Sequence, residues 1–314
     1  MTAVHETAYP RLRSNLTDKE LRELYTPTPE EMAFVQQATS SPVTALGVAV
    51  LLKTFQRLGY FPAFETLPPR LLAHLAGVMG TPNRDDLLRQ YEANGYRWRH
   101  GPLIRAYLHV HAFREGSRRV LVRARLDAAQ SKDILADLIN VGIEALVQAR
   151  YELPAFSTLR RAAQKARAQV NVRYDQQVAA ALNDVQRATI ARLLTREAQE
   201  ATSPWQRLKR EPKRPTTKRI REHITHARWR QSLNNASQAV EGIPETKLQR
   251  FAEEARALDT SRLQAMRAAK RVTLAVALIR VQTAQALDDL AEMFIRRLQK
   301  LHQQAIDALA DYRR

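Results

Sequence analysis

Apolar side chains recur along this 314-residue chain at intervals of three and four, the spacing that lines one face of an α-helix. Val43, Leu46, Val50, Phe55 and Leu58 form the first clear stripe, and Gly59 with Pro62 predicts its end. Because proline is well tolerated in a first turn, a second helix is predicted from Pro68 or Pro69 through Leu71, Leu72 and Leu75 to Gly80. Thr81-Pro82-Asn83 reads as a turn, with Asn83 as the cap of a short helix through Leu87, Leu88 and Tyr91. A further helix is predicted from Pro102 to about Phe113.

Helix, glycine-containing turn, helix is the plan of a helix-turn-helix unit, and the plan appears again downstream. Ile134, Leu138, Val141 and Ala145 mark a helix ending near Arg150, followed by a turn from Tyr151 to Phe156. Ser157 reads as the N-cap of the next helix, which starts Leu159-Arg160-Arg161 and carries Lys165 and Arg167. In helix-turn-helix proteins this first part of the recognition helix reaches base edges. Residues 201–217 contain three prolines and little apolar periodicity, so they read as a basic, semi-extended linker. Helices follow near Lys218–Arg230, from about Pro244, and from about Ser261 to the end. The last carries Leu287, Leu290, Phe294, Leu298 and Leu301 at helical spacing.

The expected architecture is therefore all-α: tandem helix-turn-helix modules followed by a helical region suited to dimerisation. The predicted boundaries are 1–125 for a first DNA-binding module, 126–200 for a second, 201–217 for the linker and 218–314 for the last region. Composition agrees, since glycine is scarce at 9 residues while Ala, Leu, Arg and Gln dominate. The chain has no cysteine, which excludes disulfides, thiolate metal sites and cysteine nucleophiles and suits a reducing cytoplasm. The longest clean apolar run, about Ala45–Leu52, is far below the ~18 residues that would span a bilayer. The first residues lack a signal core, so a soluble, cytoplasmic and nucleoid-associated protein without membrane contact is expected.

Charge sharpens the picture. The net charge is +18, and its distribution is uneven: residues 94–125 carry +7 and residues 201–235 carry +8. Such concentrated positive charge suits a polyanion partner. Three groups of candidates follow. Ser157, Thr158, Arg160, Arg161 and Lys165 open a helix, where arginine can pair with guanine edges and lysine with phosphate. Arg97, Arg99, His100 and Arg105 are interleaved with Tyr96 and Trp98, which could stack on nucleotides or pack in the core. Lys209, Arg210, Lys213, Arg214, Lys218 and Arg219 could track a DNA backbone from the linker, or be simply solvated.

Other chemistry has little footing. His223 and His226 lie three apart without a third metal ligand nearby, so no metal site is assigned. Asp288, Asp289 and Glu292 share one helix, whereas a two-metal nuclease needs carboxylates converging from separate elements. No phosphate-binding glycine loop and no nucleophile–base arrangement is present, and no cofactor is expected.

The residues resemble the N-terminal region of transposases of the Tn-three family. The matching stretches are ALGVAVLLKTFQRLGYFP (45–62), LPPRLLAHLAGVMG (67–80), RWRHGPLIRAYL (97–108), ELPAFSTLRRAAQKAR (152–167) and SPWQRLKREPKRPTTKRI (203–220). IPETKLQRFAEEAR (243–256) and ALDDLAEMFIRRLQKLH (286–302) complete them. The resemblance implies sequence-specific binding of double-stranded DNA at transposon terminal inverted repeats. It also implies that the later helical region joins protomers, and that the Asp-Asp-Glu metal site lies in a domain downstream of Arg314. No catalytic residue is therefore assigned to this chain. The alternative is a truncated transposase that partners or regulates the full-length enzyme, through a homodimer or a mixed assembly.

Overall fold

The computed structural model describes residues 3–81, 84–195, 203–210 and 216–313, and these form an all-helical protein. The cap expected at Asn83, like the linker residues Lys213 and Arg214, lies outside the described residues. In chain order the helices are α1 (Asp18–Glu20), α2 (Pro29–Ala38), α3 (Pro42–Leu58), α4 (Pro69–Val78), α5 (Arg84–Ala93), α6 (Tyr96–Tyr107) and α7 (Glu115–Ala129). They continue with α8 (Leu135–Gln148), α9 (Phe156–Ala181), α10 (Asp184–Leu193), α11 (Pro204–Leu208), α12 (Thr217–Leu233), α13 (Glu245–Ala257), α14 (Thr260–Ala265) and α15 (Ala268–Tyr312).

The chain divides into two compact units. The first comprises residues 1–129 and 134–166, the second residues 130–133 and 167–314. In the first unit α3 is the central element. Leu46 and the run from Val48 to Leu52 are wholly buried, so this helix is apolar around its whole circumference, as a core helix must be. Ser41 caps its start by accepting from the Thr44 N–H, and Gly59 ends it at φ 70°, a left-handed turn that glycine adopts without strain. Around it, Val35 of α2, Leu71 and Leu75 of α4, Leu88 and Tyr91 of α5 and Ile104 of α6 complete one apolar cluster. One charge pair is buried beside it: Lys53 Nζ lies 2.9 Å from Glu31, whose carboxylate also accepts from Gln56 at 2.6 Å.

In the second unit the first half of α15 plays the central part. Every residue from Leu274 to Ile279 is fully buried, and α12 and α13 pack along it. Two buried cations join elements there. Lys247 of α13 reaches Asp133 at 2.5 Å and Asn171 of α9 at 2.7 Å. Arg230 of α12 donates to the carbonyls of Gln282, Leu208 and Arg210.

Four local expectations need correction. Helix α6 begins at Tyr96 and holds Pro102 within it, so the proline does not open the helix. It ends at Tyr107, and a separate helix, α7, follows after residues 108–114. Ser157 is not the cap of α9: the N–H groups of Thr158 and Leu159 both donate to the Ala155 carbonyl, which puts Ser157 inside the first turn. The stretch 201–217 is not a uniformly extended linker, because α11 buries Trp205 and Leu208. Finally, α14 precedes the long helix, which starts at Ala268 rather than Ser261.

Candidate nucleic-acid interface

The start of α9 is fixed by its own apolar face and by the turn that precedes it. Leu159, Ala163, Ala166 and Val170 recur at helical spacing and are buried. The turn is pinned by backbone bonds. His111 N–H donates to the Arg150 carbonyl at 2.7 Å, and Glu152 N–H donates to the His111 carbonyl at 2.8 Å. Leu153 N–H donates to the carbonyl of Gly59 at 2.7 Å, and the Tyr9 hydroxyl donates to that of Pro154 at 3.1 Å. These bonds hold the strandless segment between α8 and α9 to three distant parts of the first unit. A rigid entry of this kind is what a side chain needs if it is to be aimed at a partner.

Opposite the buried face, Ser157, Arg161, Gln164 and Lys165 are exposed, separated by steps of four, three and one along the helix. Thr158 and Arg160 are half-buried at the edges of this strip. Arg161 Nε approaches the Ser157 carbonyl at 3.4 Å, which leaves most of its guanidinium outward. The strip contains no acidic residue from Ser157 to Lys165. It presents hydroxyl, amide, guanidinium and ammonium donors in two turns, the set that reads base edges and holds phosphates.

Helix α7 lies directly before this unit's α8 and packs extensively against it. Arg118 and Arg123 of α7 are exposed. Neither was singled out from the sequence, although the +7 stretch contains both. No helix was expected there, because two of its buried positions, Ser117 and Arg125, are polar and break the apolar period around Leu121.

The basic residues around α6 are arranged differently. Arg97 donates to the Pro62 carbonyl at 2.9 Å, pairs with Glu92 and lies 5.1 Å over the Phe64 ring. His100 is buried with Nδ1 2.8 Å from the Tyr91 hydroxyl, and burial together with nearby Arg99 holds its pKa below the usual histidine value. Arg105 pairs with Glu152 at 3.0 Å and lies over Phe61, while burial pushes the Glu152 carboxyl up against the pull of that arginine. These three side chains are engaged within the fold. Arg99 is exposed and lies 5.9 Å over the ring of Tyr96. Tyr96 packs inward, whereas Trp98 is 85% exposed.

In the second unit the linker cations are likewise divided. Lys209 donates to the Leu258 carbonyl and covers the Trp205 ring, and burial lowers its pKa. Arg210 is exposed but lends its carbonyl to Arg230. Lys218 is exposed in the first turn of α12, and Arg219 pairs with Glu222 at 2.6 Å.

Among the described residues no group of three His, Asp or Glu side chains is arranged to hold a metal ion. His223 and His226 direct Nε2 atoms into the interior without hydrogen-bond partners. Glu292 pairs with Arg296, and burial raises the carboxyl of Asp289. No helix among the described residues is long and apolar enough to cross a membrane.

Comparison with known proteins gives two matches. The family described as a domain of unknown function (DUF4158) matches residues 1–166, more than half of the chain. Its last matched residue coincides with the end of the first compact unit in α9. The transposase for transposon Tn501 of Pseudomonas aeruginosa is 26% identical over 278 residues, covering 88% of this chain and 28% of that protein. The chain thus spans under a third of the length of this relative.

Proposed function

The chain belongs to the DUF4158 family, and from that premise we propose that its first unit binds duplex DNA at the terminal inverted repeats of a transposon. In this reading α8 and α9 form a helix-turn-helix, α9 enters the major groove, and the chain itself carries out no cutting or joining. The observation that carries it is the strip of Ser157, Arg161, Gln164 and Lys165, exposed on a helix whose other face is locked into the core. The similarity to a transposase supplies the process, DNA transposition. Arg118 and Arg123 of the neighbouring α7 are the backbone-gripping side chains of the same unit, and Arg160 flanks the reading strip.

The test compares Arg161→Ala and Lys165→Ala on an inverted-repeat duplex and on random duplex at one salt concentration. A lost base contact removes roughly 1–3 kcal/mol of preference for the repeat. A residue whose loss weakens both duplexes equally is a phosphate contact. No change on either duplex for both variants overturns the reading.

A second reading concerns assembly. Leu287, Ala291, Phe294, Leu298, Leu301, Ala305, Ala308 and Tyr312 follow one another at alternating steps of four and three along α15, and all are exposed. That is the unbroken seam of a coiled coil. It favours pairing of this helix with a second copy of the chain or with a full-length transposase, which would make the protein an assembly partner as well as a DNA-binding one.

A further inference from the structure

We propose that Trp98 and Arg99, at the exposed start of α6, form a stacking site for an unpaired DNA base. The inference extends the DNA-binding reading above and shares its premise of a nucleic-acid partner. Three observations carry it. Trp98 is 85% exposed, although tryptophan is among the side chains with most to gain from burial. The three basic neighbours that could compete for a ligand, Arg97, His100 and Arg105, are all held inside the fold. Arg99 alone stays outside, and the Tyr96 ring 5.9 Å away restrains its guanidinium one residue from the indole.

An exposed indole followed by an exposed guanidinium on the next residue suits a nucleotide: the ring can cover a base face while the cation reaches the phosphate. A protein partner would ask for more apolar area than α6 offers, since among its described large apolar side chains only Leu103 is also exposed. In an intact duplex the base faces are already covered by their neighbours. The site is therefore selective for a base that is unstacked, at a single strand, a frayed end or a kinked step.

The chain supplies its own probe. Of its three tryptophans, Trp205 is fully buried and Trp229 is half-buried beneath Arg207, so the solvent-quenchable emission belongs mainly to Trp98. The experiment titrates the full chain with a single-stranded oligonucleotide, a blunt duplex and the same duplex bearing an unpaired overhang. It follows tryptophan emission, acrylamide quenching and binding. Stacking predicts that the single strand and the overhang lower the emission and shield it from acrylamide, whereas the blunt duplex does so less. Trp98→Ala should weaken single-strand and overhang binding about tenfold, as expected for one lost base stack, and leave blunt-duplex binding within about twofold. Trp98→Phe should keep most of the affinity.

Equal weakening on all three ligands, or unchanged binding with unchanged emission, overturns the proposal. So does a Trp98→Ala chain that binds DNA normally but changes its assembly mass, which would assign the indole to a protein contact. Failure of the wild-type chain to bind blunt duplex while it binds single strands through Trp98 would instead reject the helix-turn-helix reading and leave this site standing.

Discussion

At the scale of single residues, the first unit contains a buried charge with no counter-ion among the described residues. Arg125 of α7 is fully buried, donates from Nε to the Leu138 carbonyl at 3.2 Å, and finds no hydrogen-bond partner among the described residues for Nη1 or Nη2. Burial lowers its pKa to about 10. Gly142 makes room for it, because a Cβ there would lie 2.4 Å from Nε. Replacing the whole side chain with a similar apolar one removes the unpaired donors, so Arg125→Met should leave the unfolding free energy within about 1 kcal/mol or raise it. Arg125→Ala should cost about 2–4 kcal/mol through the cavity. Gly142→Ala should destabilise the native arginine background by about 1–3 kcal/mol and cost less beside Arg125→Ala. Urea denaturation of the wild-type chain and these four variants checks all three.

A second residue-scale prediction concerns pH. Burial, reinforced by Arg230, lowers the His226 pKa from 6.5 to about 4, and the hydrogen bond to the Arg207 carbonyl only partly opposes this. The unfolded chain therefore holds a proton on this ring at pH values where the folded chain does not. Stability from this group is full above about pH 6.5 and declines as the pH falls toward about 4. His226→Gln should flatten the loss of stability between those values relative to the wild-type chain. An identical pH dependence in the two chains would contradict the assignment.

At the scale of elements, most helices were legible because their apolar periods survive into the buried faces of α3, α4, α8 and α15. The errors have specific causes. Pro102 suggested a helix start because it lacks an N–H, yet it sits on the exposed side of α6, where water can serve the Trp98 carbonyl that loses its partner. Ser157 suggested a cap on side-chain preference alone, but the tertiary bonds pinning residues 150–154 fix the cap position two residues earlier, at Ala155. The exposed seam of α15 was visible as leucine spacing, but only the fold shows that no described residue covers it. If that seam pairs two copies, Leu298→Glu with Leu301→Glu should lower the mass seen by light scattering to that of one chain while leaving the helical circular dichroism unchanged. An unaltered mass would remove the pairing reading.

At the scale of the whole molecule, the sequence located positive charge but not its availability. Arg97, Arg105, Lys209 and Arg219 count toward the same net charge as Arg161 and Lys165, yet the first four are tied to carboxylates, carbonyls or rings. Which cations face outward depends on packing between segments far apart in the chain, such as Glu152 beneath Arg105, and no local pattern encodes that. The strip on α9 was legible in part: Ser157, Arg161 and Lys165 were among the candidates and are exposed, whereas Thr158 and Arg160 turn out half-buried and Gln164 was not singled out.

The most direct test of the central claim is the salt dependence of inverted-repeat duplex binding by the wild-type chain and by an Arg161→Ala, Lys165→Ala double variant. Each neutralised phosphate contributes about 0.9 to the log–log slope. The α9 interface predicts a clearly negative slope for the wild-type chain and one shallower by roughly 1–2 for the double variant. A wild-type slope near zero, or the same slope in both chains together with unchanged affinity, would contradict it.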